Sequence, residues 1–406
     1  MKRLALALVL CVAASCGSDP APPGGAPEEE GGAPPSGEGG ALDAGGDAAS
    51  ACPRKPREAD RPRKVVISHP FKAAGTKGTA FEVLDLSAAG ALTKANVTFD
   101  MGTANQTPIV FTPDGAVGLV AQDDGSVGAF VLDDAGVKVV HAAFTGDFYA
   151  HAIVVDATGT RAFVLDAQTD DNGGGVYELA IGCDGALTSK GRVIPGGTAH
   201  AMTLLPGDPT KALLSAGKAF ASPAGDDAHL VDLGALSLVA SGKAYGSGNA
   251  IVSSVAVMPN GKHALVADDS AVAGSRVAVV TLPAIAPVQT LTTEYPAAVV
   301  ASPFGNAALV LNDDSTDELT VLSYDERNTA APFAIKGRVA YQFPKPQIPI
   351  AAAMIERGAL QGRVLISENL AVRQVQFTPQ GDVTDVEKFS VGAGIPNIVG
   401  VVGVQP

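Results

Sequence analysis

His151 and His200 stand 49 residues apart in matching frames, Tyr149-Ala150-His151-Ala152-Ile153 and Thr198-Ala199-His200-Ala201-Met202. A neutral imidazole offers one donor and one acceptor nitrogen, can move a proton near neutral pH, and ligates divalent cations. Two of them in equivalent places can act on one ligand if the fold brings those places together. Acidic residues recur at a second equivalent place, the ends of short apolar runs. They are Asp123 after Gln122, Asp166, Asp268, and Glu368 before Asn369, with His69 at the corresponding point of the first run. Two imidazoles with carboxylates nearby would suit a divalent cation such as Zn²⁺ or Ca²⁺. Asp and Asn are also ordinary turn residues that bond their own backbone, and the acids read first as turn formers. The sequence itself calls for no cofactor, since it contains no P-loop glycine run, HExxH pair, GxSxG elbow or CxxC cluster.

The elements that must position these residues recur. An apolar run, a turn built on Pro or Gly and a second apolar run appear at 109–115, 153–159, 202–207, 255–261 and 299–305. With Pro113, Ala157, Pro206, Pro259, Pro303 and Glu356 as equivalent points, the gaps are 44, 49, 53, 44 and 53 residues. Periods of this size, with several short strands in each unit, belong to β-propellers. Pro and Gly interrupt every run at about strand length, which excludes buried helices. Within a unit the spacing predicts strand a (109–112), b (118–122), c (127–132) and d (137–144), and residues 61–406 accommodate seven units of roughly 49 residues. The first unit has b, c and d but no a, whereas the run at 396–402 has the character of an a strand without partners. The fold class is therefore all-β, a seven-bladed β-propeller closed by the C-terminal strand completing the first blade. Closure removes the open sheet edges. In such a blade the start of a and the end of b share one face of the disc, so His151, His200, His69 and the acids are expected on the same face.

The termini and the composition limit the setting. Met1-Lys2-Arg3 and the apolar stretch 4–14 have the form of a signal peptide over residues 1–15, and Ala13-Ala14-Ser15-Cys16 has that of a lipoprotein cleavage site with Cys16 as the acylated residue. Residues 16–60, rich in Pro, Gly, Ala and acidic side chains, read as a disordered tether. The expected location is the bacterial cell envelope, in periplasm or outer membrane, with the lipid as the sole membrane contact. Cys52 and Cys183 then remain as a pair for a disulfide in an exported chain. Without Lys2 and Arg3 there are 26 basic residues against 42 acidic ones, which argues against a nucleic-acid partner. A small ligand or an envelope protein is the expected partner of a monomer.

The segment from His151 to Asp166, continuing through Gly182-Cys183-Asp184-Gly185 to His200-Ala201-Met202, resembles consecutive blades of the lactonase family of seven-bladed propellers and the related YVTN-repeat proteins. The resemblance implies a lactone or ring-ester hydrolase with His151 or His200 as base or metal ligand, assisted by Asp166 or Glu368. In that family the second His typically follows Pro-Arg, whereas Thr198 and Ala199 precede His200 here. The missing guanidinium removes the natural partner of a phosphorylated substrate. The leading expectation is thus a non-catalytic binding module for a small ligand, a cation or a protein, with lactone hydrolysis and metal carriage as alternatives. With an ordinary imidazole pKa, binding would fade below about pH 6.

Overall fold

The structure, a computed structural model, describes residues 52–167, 174–196, 199–216, 226–245, 252–268, 276–313 and 318–406. Residues 1–51, which include the expected signal segment, Cys16 and most of the expected tether, lie outside the described residues.

Seven four-stranded antiparallel sheets make up the described fold. The inner strands are Val402–Val404 in blade 1, Val110–Phe111 in blade 2, Ala150–Val155 in blade 3, Ala199–Leu205 in blade 4, Val252–Val257 in blade 5, Pro296–Ala301 in blade 6 and Ala352–Met354 in blade 7. They touch one another in cyclic order, with blade 7 against blade 1 and blade 1 against blade 2, so the ring is closed.

The hydrophobic core is divided in the same way. Each of seven apolar clusters lies between two neighbouring blades; the one closing the ring joins Val65, Ile67 and Val402 of blade 1 to Leu365 and Val372 of blade 7. A blade is therefore packed on both faces. That is why strand b is largely buried, as in Val117–Ala121, where every residue is buried, while the outer strand Leu92–Asp100 alternates with solvent.

The C-terminal strand closes blade 1 later in sequence than its apolar run suggests. Pro396 and Asn397 lie in a 3₁₀ turn, Ile395–Asn397, and pairing is confined to Val402–Val404 against Val65, Val66 and Ile67. Proline has no N–H for the ladder, and Pro70 on the facing strand has none either. Residues 398–401 instead bridge to Asn369 and Ser68: Val399 N–H donates to Asn369 O, Ser68 N–H to Val401 O, and Gly400 N–H to Ser68 O. Gly403 then passes so close to blade 2 that a Cβ would stand 2.4 Å from Ile109 O. Gln405, buried, locks the closure by accepting from Lys64 N–H and donating to Gly115 O.

Residues 52–60, expected within the tether, are packed on the ring. Arg54, with its side chain 7% exposed, pairs with Asp114 at 3.0 Å and donates to Gly182 O at 2.9 Å, and Arg57 N–H donates to Pro113 O. Burial alone would raise the Asp114 carboxyl, but Thr112, Ala116 N–H and Arg54 outweigh it and hold the pKa below the usual range. A disulfide joins Cys52 to Cys183 across 131 residues. A loop of that length contributes about 5 kcal/mol in a chain-entropy account. This N-terminal segment runs over the a–b turns, the face opposite the His pair.

Candidate functional site

Strands a of blades 3 and 4 bring His151 and His200 together, with ring centroids 5.3 Å apart and planes at 88°. The frames that match in sequence are neighbours in space because adjacent blades place equivalent residues side by side at the narrow axis. His200 lines a central channel of about 840 Å³, whereas His151 stands behind it and does not. Burial, and then the neighbouring His200, lower the His151 pKa to about 4, against a weaker opposing effect from a backbone hydrogen bond with His200. Burial also lowers the pKa of His200. Both imidazoles are consequently neutral at pH 7. His151 Nδ1 is buried and has no hydrogen-bond partner among the described residues. A buried polar nitrogen without a partner costs free energy that an incoming donor or acceptor, or a water, would recover.

Three residues that carry no motif in the sequence complete this mouth. Asn105 Nδ2 donates to His151 O at 2.9 Å, while Asn105 Oδ1 accepts from both Thr107 N–H and Thr107 Oγ1. Gln106 and Thr107 line the channel beside His200. Asn105 lies 46 residues before His151, in the loop leading into strand a of blade 2, so the repeat period carries a signal for it.

The other candidates are engaged elsewhere. Asp166 Oδ1 accepts from Tyr149 N–H at 2.9 Å, fixing the start of blade 3. Asp123 pairs with Lys77 at 2.5 Å and its carbonyl accepts from Tyr149 Oη. Asp268, fully buried, pairs with Arg276 at 3.1 Å, and Arg276 lies over the Tyr245 ring. Glu368 pairs with buried Arg373 and, at 2.8 Å, with Lys388. His69 lies 3.3 Å from Glu82 and 3.2 Å from Ile398 O. Burial pushes the Glu82 carboxyl up, but His69 and Lys94 bring it below its ordinary value. The shared face is as expected, yet the acids do not converge on the His pair. Among the described residues no three His, Cys, Asp or Glu side chains are placed to hold a metal ion, so the expected Zn²⁺ or Ca²⁺ site is not assembled there.

No protein-family model matches the chain, and no curated protein matches it by sequence. Solved structures do match in shape. A "putative 6-phosphogluconolactonase" from Bacteroides uniformis superposes with a TM-score of 0.61 at 12% identity, covering 84% of this chain and 99% of its own. Another from Bacteroides fragilis gives 0.59 at 13% identity, over 87% and 100%. A periplasmic gluconolactonase from Pseudomonas aeruginosa gives 0.59 at 14% identity, over 85% and 99%. The fold that this chain shares with these structures is the seven-bladed β-propeller. At such identities the likeness extends to the fold alone, and activity has to be argued from the site.

Proposed function

We propose that the chain is an exported propeller, anchored in the envelope through Cys16, that binds a small neutral ligand at the His mouth of its channel. The observation that carries this reading is the uncharged His200 imidazole lining the channel mouth, with the His151 ring packed against it from behind. A hydroxyl or carbonyl group is the chemistry that neutral nitrogens recognise. The N-terminal signal pattern supports export.

A second reading is lactone hydrolysis, favoured by the neutral imidazoles and by the names of the structural neighbours. A general base works best with a pKa near the operating pH. Burial lowers the pKa of both imidazoles, that of His151 to about 4, which makes them weak proton acceptors and ranks binding above catalysis. Titration calorimetry with glucono-1,5-lactone and with gluconate, run beside a hydrolysis assay, separates the two. Heat without turnover, lost in His200→Ala, is the expected result. Turnover abolished by His200→Ala would establish the hydrolase instead, and neither heat nor turnover with polyols, lactones or their acids would retire the His mouth as a small-ligand site.

A further inference from the structure

The channel has a second mouth, where the repeat is broken. The turn after strand a begins with Pro113, Ala157, Pro206, Pro259 and Pro303 in five blades, but with Glu356-Arg357 in blade 7. Pro206, Pro259 and Pro303 line this end of the channel together with Glu356, Arg357 and Gln361. Glu356 and Arg357 carry the only charged side chains among the channel-lining residues described, His200 being neutral. A charge of each sign thus stands on adjacent residues of a rim otherwise built from uncharged residues.

The turn that carries them is held from outside the channel. Arg63, buried, donates to Arg357 O at 3.2 Å, and Asp60 accepts from Ala359 N–H at 2.7 Å. Gly358 has φ +85°, and a Cβ there would meet Ala59 O at 2.5 Å. Gly362 N–H donates to Ile355 O and Arg363 N–H to Leu360 O. The fold therefore uses the backbone of 355–363 and leaves the Glu356 carboxylate and Arg357 guanidinium without hydrogen bonds to any described residue. The backbone is thus fixed, and only the two side chains have to be ordered when a ligand pairs with them. Glu356 is exposed at the channel mouth and Arg357 half-buried, so both charges can be reached from solution; the surrounding protein raises the Glu356 carboxyl and Arg357 partly opposes that.

We propose that this mouth is a second binding site, for an apolar α-amino acid. Its ammonium would pair with Glu356, its carboxylate would take the fork of Arg357, and its side chain would lie among the prolines of the channel rim. An amine alone would be repelled by Arg357 and an anion alone by Glu356; a zwitterion satisfies both. The inference does not depend on the reading of the His mouth.

Titration calorimetry of the full chain with L-leucine, N-acetyl-L-leucine and L-leucinamide tests it. L-Leucine should bind, and the two analogues, each lacking one charge, should bind at least about tenfold more weakly. Glu356→Gln and Arg357→Gln should each cost L-leucine a similar factor with an unchanged melting temperature, while His151→Ala leaves its affinity intact. The proposal is overturned by an absence of heat up to about 10 mM L-leucine. It also falls if N-acetyl-L-leucine binds equally well, if neither charge substitution matters, or if His151→Ala abolishes binding.

Discussion

The His pair of blades 3 and 4 and the charged cluster of blade 7 occupy the same face of the ring, and they are built on opposite principles. In the blade 7 cluster each charge has an internal partner. Arg373, fully buried, meets Glu368, reaches Asp385 at 2.7 Å, and donates to Pro344 O, while the second Asp385 oxygen accepts from Gln342 and Phe343 N–H. The cluster fastens the loop between blades 6 and 7 and presents nothing outward. At the His pair the polar groups face each other across a blade boundary, are uncharged, and leave Nδ1 of His151 unmatched. Position in the repeat decides where a polar side chain stands. Whether its partner is supplied by its own hairpin decides whether it is structural or available.

The largest effect is expected from breaking the closed cluster. Arg373→Met would leave Glu368 and Asp385 facing each other without the guanidinium and release Pro344 O. Removing one partner of a buried ion pair costs about 3–5 kcal/mol. Denaturant unfolding should show this as a large fall in midpoint, and the triple change Arg373→Met, Glu368→Gln, Asp385→Asn should recover much of it. A single substitution that leaves the midpoint unmoved would mean that the cluster is not what seals this side of blade 7.

Much of this contrast is legible in the sequence. The spacing of Pro113 through Glu356 gives the blade count, and the 49-residue offset between His151 and His200 places them next to each other, because equivalent residues of adjacent inner strands are neighbours. The acids are harder to read, since a carboxylate at a strand end looks alike whether it caps a turn, pairs, or waits for a ligand. The distinguishing signal is nevertheless present: Arg276 lies directly across the b–c hairpin from Asp268, and Arg373 follows Glu368 by five residues. A basic residue within hairpin reach marks an acid that already has its partner. The C-terminal register is not legible, because it depends on Ser68, Pro70 and Asn369, residues far away in sequence that meet 398–401 only after the ring closes. Nor is the docking of 52–60, whose composition is that of a linker and whose order comes from Asp114, the Gly182 carbonyl and the disulfide.

A smaller effect should appear on acidification, and the closed and open regions differ in how it arises. The His151 pKa is lowered from the usual value near 6.5 to about 4, so the unfolded chain binds the proton more readily than the folded one. Its contribution to stability is therefore present in full above about pH 6.5 and is lost as the pH falls through 4, a change on the order of 3 kcal/mol. His229, also lowered to about 4 by burial, acts with the same sign, so the comparison must be made against His151→Gln. The variant should lose less stability than the parent between pH 6.5 and 4. Parallel curves would show that His151 is not buried neutral. The same shift moves the loss of ligand binding well below the pH 6 expected for an ordinary imidazole.

The smallest stability effect, and the sharpest test of availability, comes from the His pair itself. Replacing His151 or His200 by Ala removes no charge at pH 7 and breaks no ion pair, so each should cost about 1 kcal/mol, within the common range for a single substitution. Ligand affinity should respond differently. If both rings read one ligand, either substitution weakens binding about tenfold, roughly 1.4 kcal/mol, and the double variant weakens it little further, because residues sharing a partner are coupled. Two independent structural histidines would instead show additive losses of stability and unchanged binding. The double-mutant cycle therefore reports the property that separates this mouth from the cluster of blade 7: coupling through a ligand from outside, in place of coupling through partners the chain already owns.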